Sequence, residues 1–374
     1  MNEHPGSDLR LACFLPSLEG GGAERVVVNL LRGLADREVQ VELILASAHG
    51  AYLDQVPAGV KVVDLGVKHV RQAIWPLRRL LRKQPPQVLI SHLSHANLAA
   101  VLALRPLDIP TRLLLVEHLT MSAYQGTSVK DRLIQPLARW LFKYADAVAA
   151  VSKAAARDLE KQLRMPRESV HVLYNPVVDE SLRQKCQESL SHTWIDESDK
   201  PLIVGMGRLT AQKDFGTLIR AFARIANLCS CRLVILGEGE ERSALEDLVS
   251  QLKLEGQVLL PGFVENPYAW LGRARLFVLS SRWEALPTVL IEALACGVPV
   301  VATDCPSGPA EILEDGRWGS LVPLQDEEAL AAAMKQALEG QVEKAQLQAR
   351  AADFSVDRAV DGYLELLLQL VADR

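Results

Sequence analysis

The stretch at residues 276–302, LFVLSSRWEALPTVLIEALACGVPVVA, decides the fold class of this chain of 374 residues. Its first four residues are apolar and predict a buried strand, and a turn containing Pro287 follows. The next residues form an apolar helical pattern that ends at Gly297, and 298–302 predict another strand. A strand, a helix and a strand in succession are the unit of a parallel sheet, so the stretch indicates an α/β fold.

The same alternation runs through the whole chain. Strands are predicted at 9–15, 39–45, 60–65, 88–91, 112–116, 147–151 and 170–173. After the break at Tyr174-Asn175-Pro176, a second series starts at Leu202 and continues at 232–236, 258–260, 276–279, 298–302 and 319–322. The chain also exceeds the ~250 to 300 residues at which one hydrophobic core stops growing. The sequence therefore predicts two Rossmann-like domains with parallel sheets, joined near 175–178.

Two glutamates in the opening stretch, Glu284 and Glu292, are candidates for binding a ligand. Glu284 falls on the loop that leaves a strand, where open α/β sheets bind their ligands, and Glu292 falls within the next helix. Carboxylate oxygens accept hydrogen bonds from vicinal hydroxyl groups such as those of a ribose. A pair of glutamates alone is more often a pair of solvated surface residues, so the interpretation depends on the other motifs.

Three distant segments place further polar residues at strand ends. The first, 20–25 (GGGAER), joins a strand to a helix, where backbone N–H groups and the helix N-terminus favour a phosphate, although a glycine triplet alone is a weak signal. The second, 204–214 (VGMGRLTAQKD), carries Arg208 and Lys213, two cations that would neutralise a departing diphosphate. The third, 116–118 (VEH), ends another strand with a histidine.

Together these segments resemble the signature of the retaining glycosyltransferases of family 4. The architecture of that family, called GT-B, has two Rossmann-like domains that face each other across a cleft. The resemblance implies an acceptor-side domain at 1–176 and a donor-nucleotide domain at 177–355, with the last helix, 356–374, packing back onto the first. Ala285 is a departure, because many members carry glycine there.

The resemblance also implies roles for individual residues. Glu284 would contact the donor sugar, and Glu292 would hold the nucleotide ribose. Arg208 and Lys213 would bind the donor phosphates, and His118 would reach the sugar and phosphate from the opposite wall of the cleft. The implied catalytic set is Glu284, His118, Arg208 and Lys213. The implied donor site comprises Gly21, Gly22, Arg208, Lys213, Gly262, Phe263, Glu284, Ala285, Leu286, Pro287, Thr288 and Glu292.

His92, His95 and Asn97 are expected on the strand-to-helix loop that lines the acceptor side, with a plain structural role as the alternative. His92 and His95 are also rivals to His118, since a lone histidine at a strand end is usually structural. Their His-x-x-His spacing could suggest a metal, but no third ligand stands nearby. Two cations at the diphosphate would make a metal unnecessary, so neither a metal nor another cofactor is expected.

Composition is that of an ordinary soluble enzyme, with 49% hydrophobic and 23% charged residues. Six cysteines are scattered without a Cys-x-x-Cys pair, which predicts reduced thiols in a cytoplasmic protein. The amino terminus is too polar for a secretory signal. No apolar run approaches the ~18 residues needed to span a bilayer.

Charge is distributed unevenly along the chain. Residues 1–175 carry 22 Lys and Arg against 16 Asp and Glu, a net of +6, whereas 176–374 carry 19 against 30, a net of −11. The segment 71–83 places five cations and Trp75 around an apolar face, which predicts a peripheral contact with the anionic inner face of the cytoplasmic membrane. An ordinary half-buried helix is the alternative. A second basic stretch, 139–144, is interpreted as core and rim, and neither stretch resembles a nucleic-acid module.

The implied activity is transfer of a hexosyl or N-acetylhexosaminyl group from a nucleoside diphosphate sugar to a hydroxyl of a glycan or lipid-linked acceptor. The segment 303–313, TDCPSGPAEIL, resembles that of bacterial members that use UDP-sugars, so a UDP-sugar is preferred to GDP-mannose. Front-face substitution with retention is expected, since no second carboxylate is placed as a nucleophile. The alternatives are a nucleotide-sugar epimerase, a GT-B phosphorylase and a non-catalytic nucleotide-sugar-binding protein.

Overall fold

The computed structural model describes residues 9–124, 129–196 and 200–372. The chain forms two compact units, one made of Met1–Pro176 with Val356–Arg374 and the other of Val177–Ser355. Each unit contains one sheet, and every strand pair in both sheets is parallel. The predicted fold class is therefore confirmed.

The first unit is built on a seven-stranded sheet. Its strands are β1 (Arg10–Leu15), β2 (Gln40–Leu45), β3 (Lys61–Asp64), β4 (Val88–His92), β5 (Arg112–Glu117), β6 (Ala147–Ala150) and β7 (His171–Val172). Their spatial order is β3-β2-β1-β4-β5-β6-β7. The central strands are buried along almost their whole length, as expected for a parallel sheet covered by helices.

Among the described residues of the first unit, five helices connect the strands of this sheet. They are α1 (Gly22–Ala35), α2 (Ile74–Lys83), α3 (Ser94–Leu104), α4 (Val129–Leu141) and α5 (Lys153–Leu163). Short 3₁₀ turns lie at Leu53–Gln55, Val70–Ala73, Met121–Tyr124 and Phe142–Tyr144. The Ser152 side chain accepts a hydrogen bond from the Ala155 N–H and so caps α5.

The second unit is built on a six-stranded sheet with the order β10-β9-β8-β11-β12-β13. Its strands are β8 (Leu202–Met206), β9 (Arg232–Leu236), β10 (Val258–Gly262), β11 (Leu276–Leu279), β12 (Val300–Thr303) and β13 (Ser320–Val322). Its helices are α6 (Glu180–Gln187), α7 (Thr193–Asp196), α8 (Phe215–Cys229), α9 (Arg242–Gln251), α10 (Pro267–Leu271), α11 (Thr288–Ala295), α12 (Pro309–Ile312), α13 (Glu327–Glu339) and α14 (Lys344–Ala351). A 3₁₀ turn, Ala352–Phe354, ends the unit.

The last helix, α15 (Val356–Ala372), packs in the first unit against α1. Gly33 of α1 makes this approach possible, because an added Cβ would lie 2.6 Å from a methyl carbon of Val360. At the rim of the contact, Arg37 lies 2.9 Å from Asp361. The carboxyl-terminal helix is thus tied to the first unit by both apolar packing and an ion pair.

The prediction of reduced thiols is wrong for one pair of cysteines. Cys186 and Cys296 form a disulfide, although 110 residues separate them in sequence. Cys186 lies on α6, and Cys296 is the residue that ends α11. A scattered pattern gives no sign of such a pair, because only the packing of α6 beside α11 brings the two side chains together. Cys13, Cys229, Cys231 and Cys305 are free thiols.

Candidate functional site

The strand order of the second unit creates a crevice at one edge of its sheet. The connections run outward in opposite directions from β8 and β11, which are neighbours. The loops that leave these two strands therefore diverge at the carboxyl ends, which is where open α/β sheets bind ligands. The loop after β8 carries Arg208 and Lys213, and the loop after β11 carries Glu284.

A direct ion pair joins these two loops. Lys213 Nζ lies 2.6 Å from Glu284 Oε1, and the Lys213 and Glu284 side chains are only 15% and 8% exposed. Ser281 Oγ donates a second hydrogen bond, of 2.7 Å, to the same carboxylate oxygen. The ammonium and the carboxylate are thus held in fixed positions at the crevice.

Further hydrogen bonds bind the two loops to each other. Ser280 Oγ donates to the Lys213 carbonyl at 2.7 Å, and the Arg282 backbone N–H donates to the Gln212 carbonyl at 2.8 Å. The Arg282 guanidinium lies 3.1 Å from the buried carboxylate of Asp214. Sequence reasoning missed Ser280, Ser281 and Arg282 because a short polar run after a strand has the pattern of any loop.

Arg208 lies on the same loop as Lys213 but is exposed. It has no hydrogen-bond or ion-pair partner within the described part of the chain. The alkyl chain of Lys213 packs over Gly207, where an added Cβ would lie 3.0 Å from Lys213 Cε. The loop therefore presents one cation already paired and one available to an anionic ligand.

Glycines allow the backbones after β8, β9 and β10 to approach closely. Gly237, with a φ of +138°, has no room for a Cβ, which would lie 2.0 Å from the Gly207 carbonyl oxygen. Gly239 is equally restricted by the Leu209 carbonyl oxygen at 2.2 Å. The Gly237 N–H donates to the carbonyl of Gly262 at 2.9 Å. Gly237 and Gly239 were not predicted, although two glycines directly after the β9 strand were a usable signal.

Phe263 follows Gly262 at the end of β10, and its side chain is 68% exposed. Large aromatic side chains are normally buried, so a phenylalanine ring exposed to water at the carboxyl edge of a sheet is unusual. The predicted donor-site residues Gly262 and Phe263 thus lie at the same sheet edge as Arg208.

The segment 285–288 leads from the Glu284 loop into α11. Ala285, Leu286 and Pro287 are buried, and Thr288 is the first helical residue. Gly308 packs against this segment, because an added Cβ would lie 2.5 Å from Pro287 Cδ. Ala285 is not among the residues with positive φ, so alanine fits here without backbone strain.

Glu292 lies in the second turn of α11 and is 2% exposed. The Tyr268 hydroxyl of α10 donates to Glu292 Oε1 at 3.4 Å. A buried carboxylate with its position fixed by a tyrosine is suited to accept hydrogen bonds from a ligand hydroxyl.

The first unit repeats the same topological arrangement. Its strand connections diverge between β1 and β4. Gly21 precedes α1 and Gly22 begins it, so the predicted glycine segment lies directly at the helix N-terminus. The Glu24 carboxylate lies beside Gly21, where an added Cβ would be 2.2 Å from Glu24 Oε2.

His118 follows β5 and is 8% exposed. One of its ring nitrogens, Nε2, lies 3.0 Å from Nδ1 of His92. Burial lowers the pKa of His118 to about 4. Burial, followed by the charge of His118, holds the pKa of His92 well below its usual range. Both rings are therefore neutral near pH 7.

Two of the three residues predicted for the acceptor side are completely buried, which favours the plain structural role given as the alternative. His92 is the last residue of β4 and is completely buried, so it does not lie on the loop where it was predicted. Asn97 is completely buried on α3, and its Nδ2 donates to the carbonyl of Val116 and to Glu117. The packing of α3 on the sheet turns Asn97 inward, whereas His95 on the same helix is exposed.

Glu117, for which the sequence suggested no role, is a buried carboxyl group. Ser94 Oγ donates to it at 2.7 Å and Asn97 Nδ2 at 2.8 Å. Burial raises the pKa of Glu117 to about 7, and the two hydrogen bonds oppose this shift. Within 9–124, 129–196 and 200–372, no group of three or more His, Cys, Asp or Glu side chains could hold a metal ion.

Comparisons with known proteins agree with this geometry. Residues 20–181 match the family described as Glycosyltransferase Family 4, and residues 190–354 match the family described as Glycosyl transferases group 1. In structure, the chain is similar to HepE of Anabaena in complex with UDP and glucose, with a TM-score of 0.78 and 21% sequence identity. That likeness covers 96% of this chain and 99% of HepE, and it shows the GT-B fold.

Two relatives of known name are similar over most of their length. The first is N-acetylgalactosamine-N,N'-diacetylbacillosaminyl-diphospho-undecaprenol 4-alpha-N-acetylgalactosaminyltransferase of Campylobacter jejuni, which is 32% identical over 341 residues, 88% of this chain and 90% of the relative. The second is the lipopolysaccharide core biosynthesis glycosyltransferase LpsE of Rhizobium meliloti, which is 28% identical over 93% of this chain and 96% of the relative. The chain therefore belongs to the group 1 glycosyltransferases with a Family 4 amino-terminal region.

Proposed function

We propose that this glycosyltransferase moves a hexosyl or N-acetylhexosaminyl group from a UDP-sugar to a hydroxyl of a lipid-linked glycan. The observation that carries the proposal is the buried contact between Lys213 and Glu284 at the point where the strand connections diverge. It places a cation suited to a diphosphate beside a carboxylate suited to sugar hydroxyls. A nucleoside diphosphate sugar carries both groups next to each other.

The remaining groups fit the other parts of such a donor. Exposed Arg208 would bind the diphosphate together with Lys213, and buried Glu292 would accept hydrogen bonds from the ribose hydroxyls. The exposed ring of Phe263 would stack on the base. In the first unit, His118 would donate a hydrogen bond to a hydroxyl of the substrate.

We propose transfer with retention of configuration by front-face substitution. The bond between C1 and the phosphate oxygen breaks with its electron pair going to the phosphate, where Arg208 and Lys213 stabilise the developing charge. The acceptor oxygen forms its bond to C1 on the same face, and its proton passes to the departing phosphate oxygen. The two side chains would replace a metal ion, so we expect turnover in the presence of a chelator.

The names of the relatives support the choice of substrates. The Campylobacter enzyme is named for an acceptor on diphospho-undecaprenol and for an alpha-linked product, and the Rhizobium enzyme for the lipopolysaccharide core. The HepE crystals hold UDP and glucose. These chemistries support a UDP-sugar donor and a lipid-linked acceptor for the present chain.

A lipid-linked acceptor would require the enzyme to reach a membrane surface. Along 9–124, 129–196 and 200–372, no helix is both long and apolar enough to cross a bilayer. The apolar residues Leu77 and Leu81 of α2 are buried in the first unit, so they cannot form the membrane face expected for 71–83. The opposite side of α2 carries Trp75, which is 72% exposed.

Trp75 begins a row of aromatic and arginine side chains, formed by Trp75, Arg78, Arg105, Trp140 and Tyr144. The Arg78 guanidinium lies 4.5 Å from the Trp75 ring and donates to the Leu102 carbonyl near the end of α3. One turn further on, Arg105 lies 3.7 Å from the Tyr144 ring and 5.7 Å from the Trp140 ring. Trp140 is 51% exposed, whereas Leu141 and Phe142 beside it are buried, so 139–144 combines core and rim residues as the sequence predicted.

We propose that this aromatic–arginine row lies at the anionic inner face of the cytoplasmic membrane. Tryptophan and tyrosine rings favour the headgroup region, and each nearby cation contributes about 1 kcal/mol at an anionic surface. The exposed cation Arg71 lies on the 3₁₀ turn that precedes α2, and five others lie on the same elements as the row: Arg79, Arg82, Lys83, Arg139 and Lys143.

A donor and acceptor panel tests the proposed function. Purified enzyme in EDTA is screened for thermal stabilisation by UDP-sugars and GDP-mannose, since a ligand at 100 times its dissociation constant stabilises by about 2.7 kcal/mol. Stabilising donors are then incubated with and without undecaprenyl-diphosphate-linked sugars. We expect product only with acceptor. Isomerised sugar nucleotide formed without acceptor would show an epimerase instead, and donor binding without turnover would show a binding protein.

A further inference from the structure

His92 at the end of β4 and His118 just after β5 form a buried pair whose two rings differ in solvent exposure. His92 is completely buried, whereas His118 keeps 8% of its surface exposed. The two rings are 5.2 Å apart between centroids and share one contact, between His92 Nδ1 and His118 Nε2 at 3.0 Å. His92 belongs to the strand itself and pairs with Val116 of β5 in the sheet register. The backbone of His92 is therefore fixed by strand pairing.

A hydrogen bond between two neutral imidazoles needs one proton, and two arrangements are possible. In the first, His92 Nδ1–H donates to His118 Nε2, and the remaining proton of His118 is on Nδ1. In the second, His118 Nε2–H donates to His92 Nδ1, and the remaining proton of His92 is on Nε2. His118 Nδ1 is therefore a hydrogen-bond donor in the first arrangement and an acceptor in the second.

The environment of the other His92 nitrogen distinguishes the arrangements. His92 Nε2 is buried and has no hydrogen-bond partner among the described residues. The second arrangement would place an N–H group there without an acceptor, and buried N–H groups without acceptors are rarer in proteins than acceptors without donors. The first arrangement leaves only an unused lone pair at this position.

We propose that His92 is a positioning residue that fixes the ring of His118 and keeps its proton on Nδ1, so that His118 presents an N–H donor to the substrate. The proposal rests on the role proposed above for His118. A donor at this position suits a sugar hydroxyl or phosphate oxygen, both of which accept hydrogen bonds. Because the pKa of His118 is lowered to about 4 by burial, the ring remains a neutral donor across the neutral pH range.

The tautomers can be read directly by NMR. Long-range ¹H–¹⁵N spectra of the full chain labelled with ¹⁵N-histidine separate protonated from unprotonated ring nitrogens. The His92 and His118 signals are assigned as those lost in His92→Asn and His118→Gln. We expect both rings to be protonated at Nδ1 near pH 7. Protonation of His118 at Nε2 would overturn the proposal.

Kinetics then test whether the hydrogen bond matters for transfer. His92→Asn places an amide N–H where Nδ1 stood, whereas His92→Leu has no donor. We expect the Asn variant to keep kcat within a few fold and the Leu variant to lose about 100-fold in kcat, as a misplaced reacting group does. The exposed residue His171, changed to Leu, is the matched control and should leave kcat unchanged.

Two outcomes separate this inference from the proposed function. If His118→Gln abolishes transfer but His92→Leu retains it, His118 acts in the reaction without help from His92, and the positioning role is wrong. If His118→Gln retains wild-type transfer, the role of His118 itself is wrong, whichever tautomer the spectra show. Circular dichroism of each variant confirms that the fold is kept.

Discussion

Lys213 Nζ lies 2.6 Å from Glu284 Oε1, and both side chains are largely buried at the carboxyl edge of the second sheet. The two residues come from loops that follow neighbouring strands, β8 and β11, yet 71 positions separate them in sequence. Such a pair offsets its own desolvation only while both charges are present. The ion pair of the site therefore also contributes to the folding stability of the second unit.

Removing one member of this pair should destabilise the protein. We expect Lys213→Met and Glu284→Gln each to lower the free energy of unfolding by about 3 kcal/mol, because each leaves a partner without its counter-charge. The double variant should lose less than the sum of the two single losses. Urea denaturation measures all three. Strict additivity would show that the two side chains do not interact, and Lys335→Met, which changes an exposed lysine, is the control.

Glu292 should control donor affinity. We expect Glu292→Gln to raise the KM for the donor at least tenfold, or about 1.4 kcal/mol, because an amide offers a ribose diol only one acceptor oxygen whereas a carboxylate offers two. Tyr268→Phe removes the contact to Glu292 Oε1 at 3.4 Å and keeps the carboxylate. Tyr268→Phe should therefore raise the KM for the donor by no more than a few fold. Equal KM values for wild type and Glu292→Gln would remove Glu292 from the donor site.

Glu117 should make stability depend on pH in a defined window. Its pKa is raised from 4.5 to about 7 by burial, so the folded state holds this proton more tightly than the unfolded state. Below pH 4.5 both states are protonated and stability is complete. As pH rises towards 7 the unfolded state releases its proton first, and the free energy of unfolding falls by about 3 kcal/mol.

Glu117→Gln isolates this effect, because glutamine does not titrate. Neighbouring His92 and His118 have lowered pKa values and act with the opposite sign, but subtraction of the variant removes their contribution. We expect the difference in unfolding free energy, wild type minus variant, to decrease between about pH 4.5 and about pH 8 in urea titrations. A constant difference would mean that Glu117 is ionised in the folded protein.

The aromatic–arginine row should bind anionic vesicles. We expect the enzyme to float with vesicles that contain phosphatidylglycerol, to bind less at high salt, and to lose at least tenfold in partitioning when Trp75 and Trp140 are both changed to Ala. Arg317 and Trp318 of the second unit form a similar stacked pair at 4.8 Å, and their double change to Ala is the control. Absence of binding to anionic vesicles, or an equal loss of binding in both double variants, would show that the aromatic–arginine row is not a membrane-binding surface.

The sequence predicted the fold well because apolar strands and turn residues are local signals. Every predicted strand has a counterpart among β1 to β13, with ends that differ by at most two residues. It also placed Lys213, Glu284 and Glu292 on the correct loops and helix, since a residue's position relative to a strand end follows from spacing.

The predictions that failed concern features that depend on contacts between elements distant in sequence. The burial of His92 and Asn97 follows from how α3 packs on β4 and β5, and the disulfide of Cys186 follows from how α6 packs beside α11. No short-range pattern contains this information.

Binding of UDP tests the central claim most directly. Isothermal titration in EDTA compares the wild type with Arg208→Ala, with Lys213→Met and with the control Lys335→Met. We predict that the wild type and the control bind UDP equally, and that each change at Arg208 or Lys213 weakens binding tenfold or more, because charge-assisted bonds to the diphosphate are lost. UDP affinity in Arg208→Ala and Lys213→Met equal to that of the wild type would contradict a donor diphosphate site between β8 and β11.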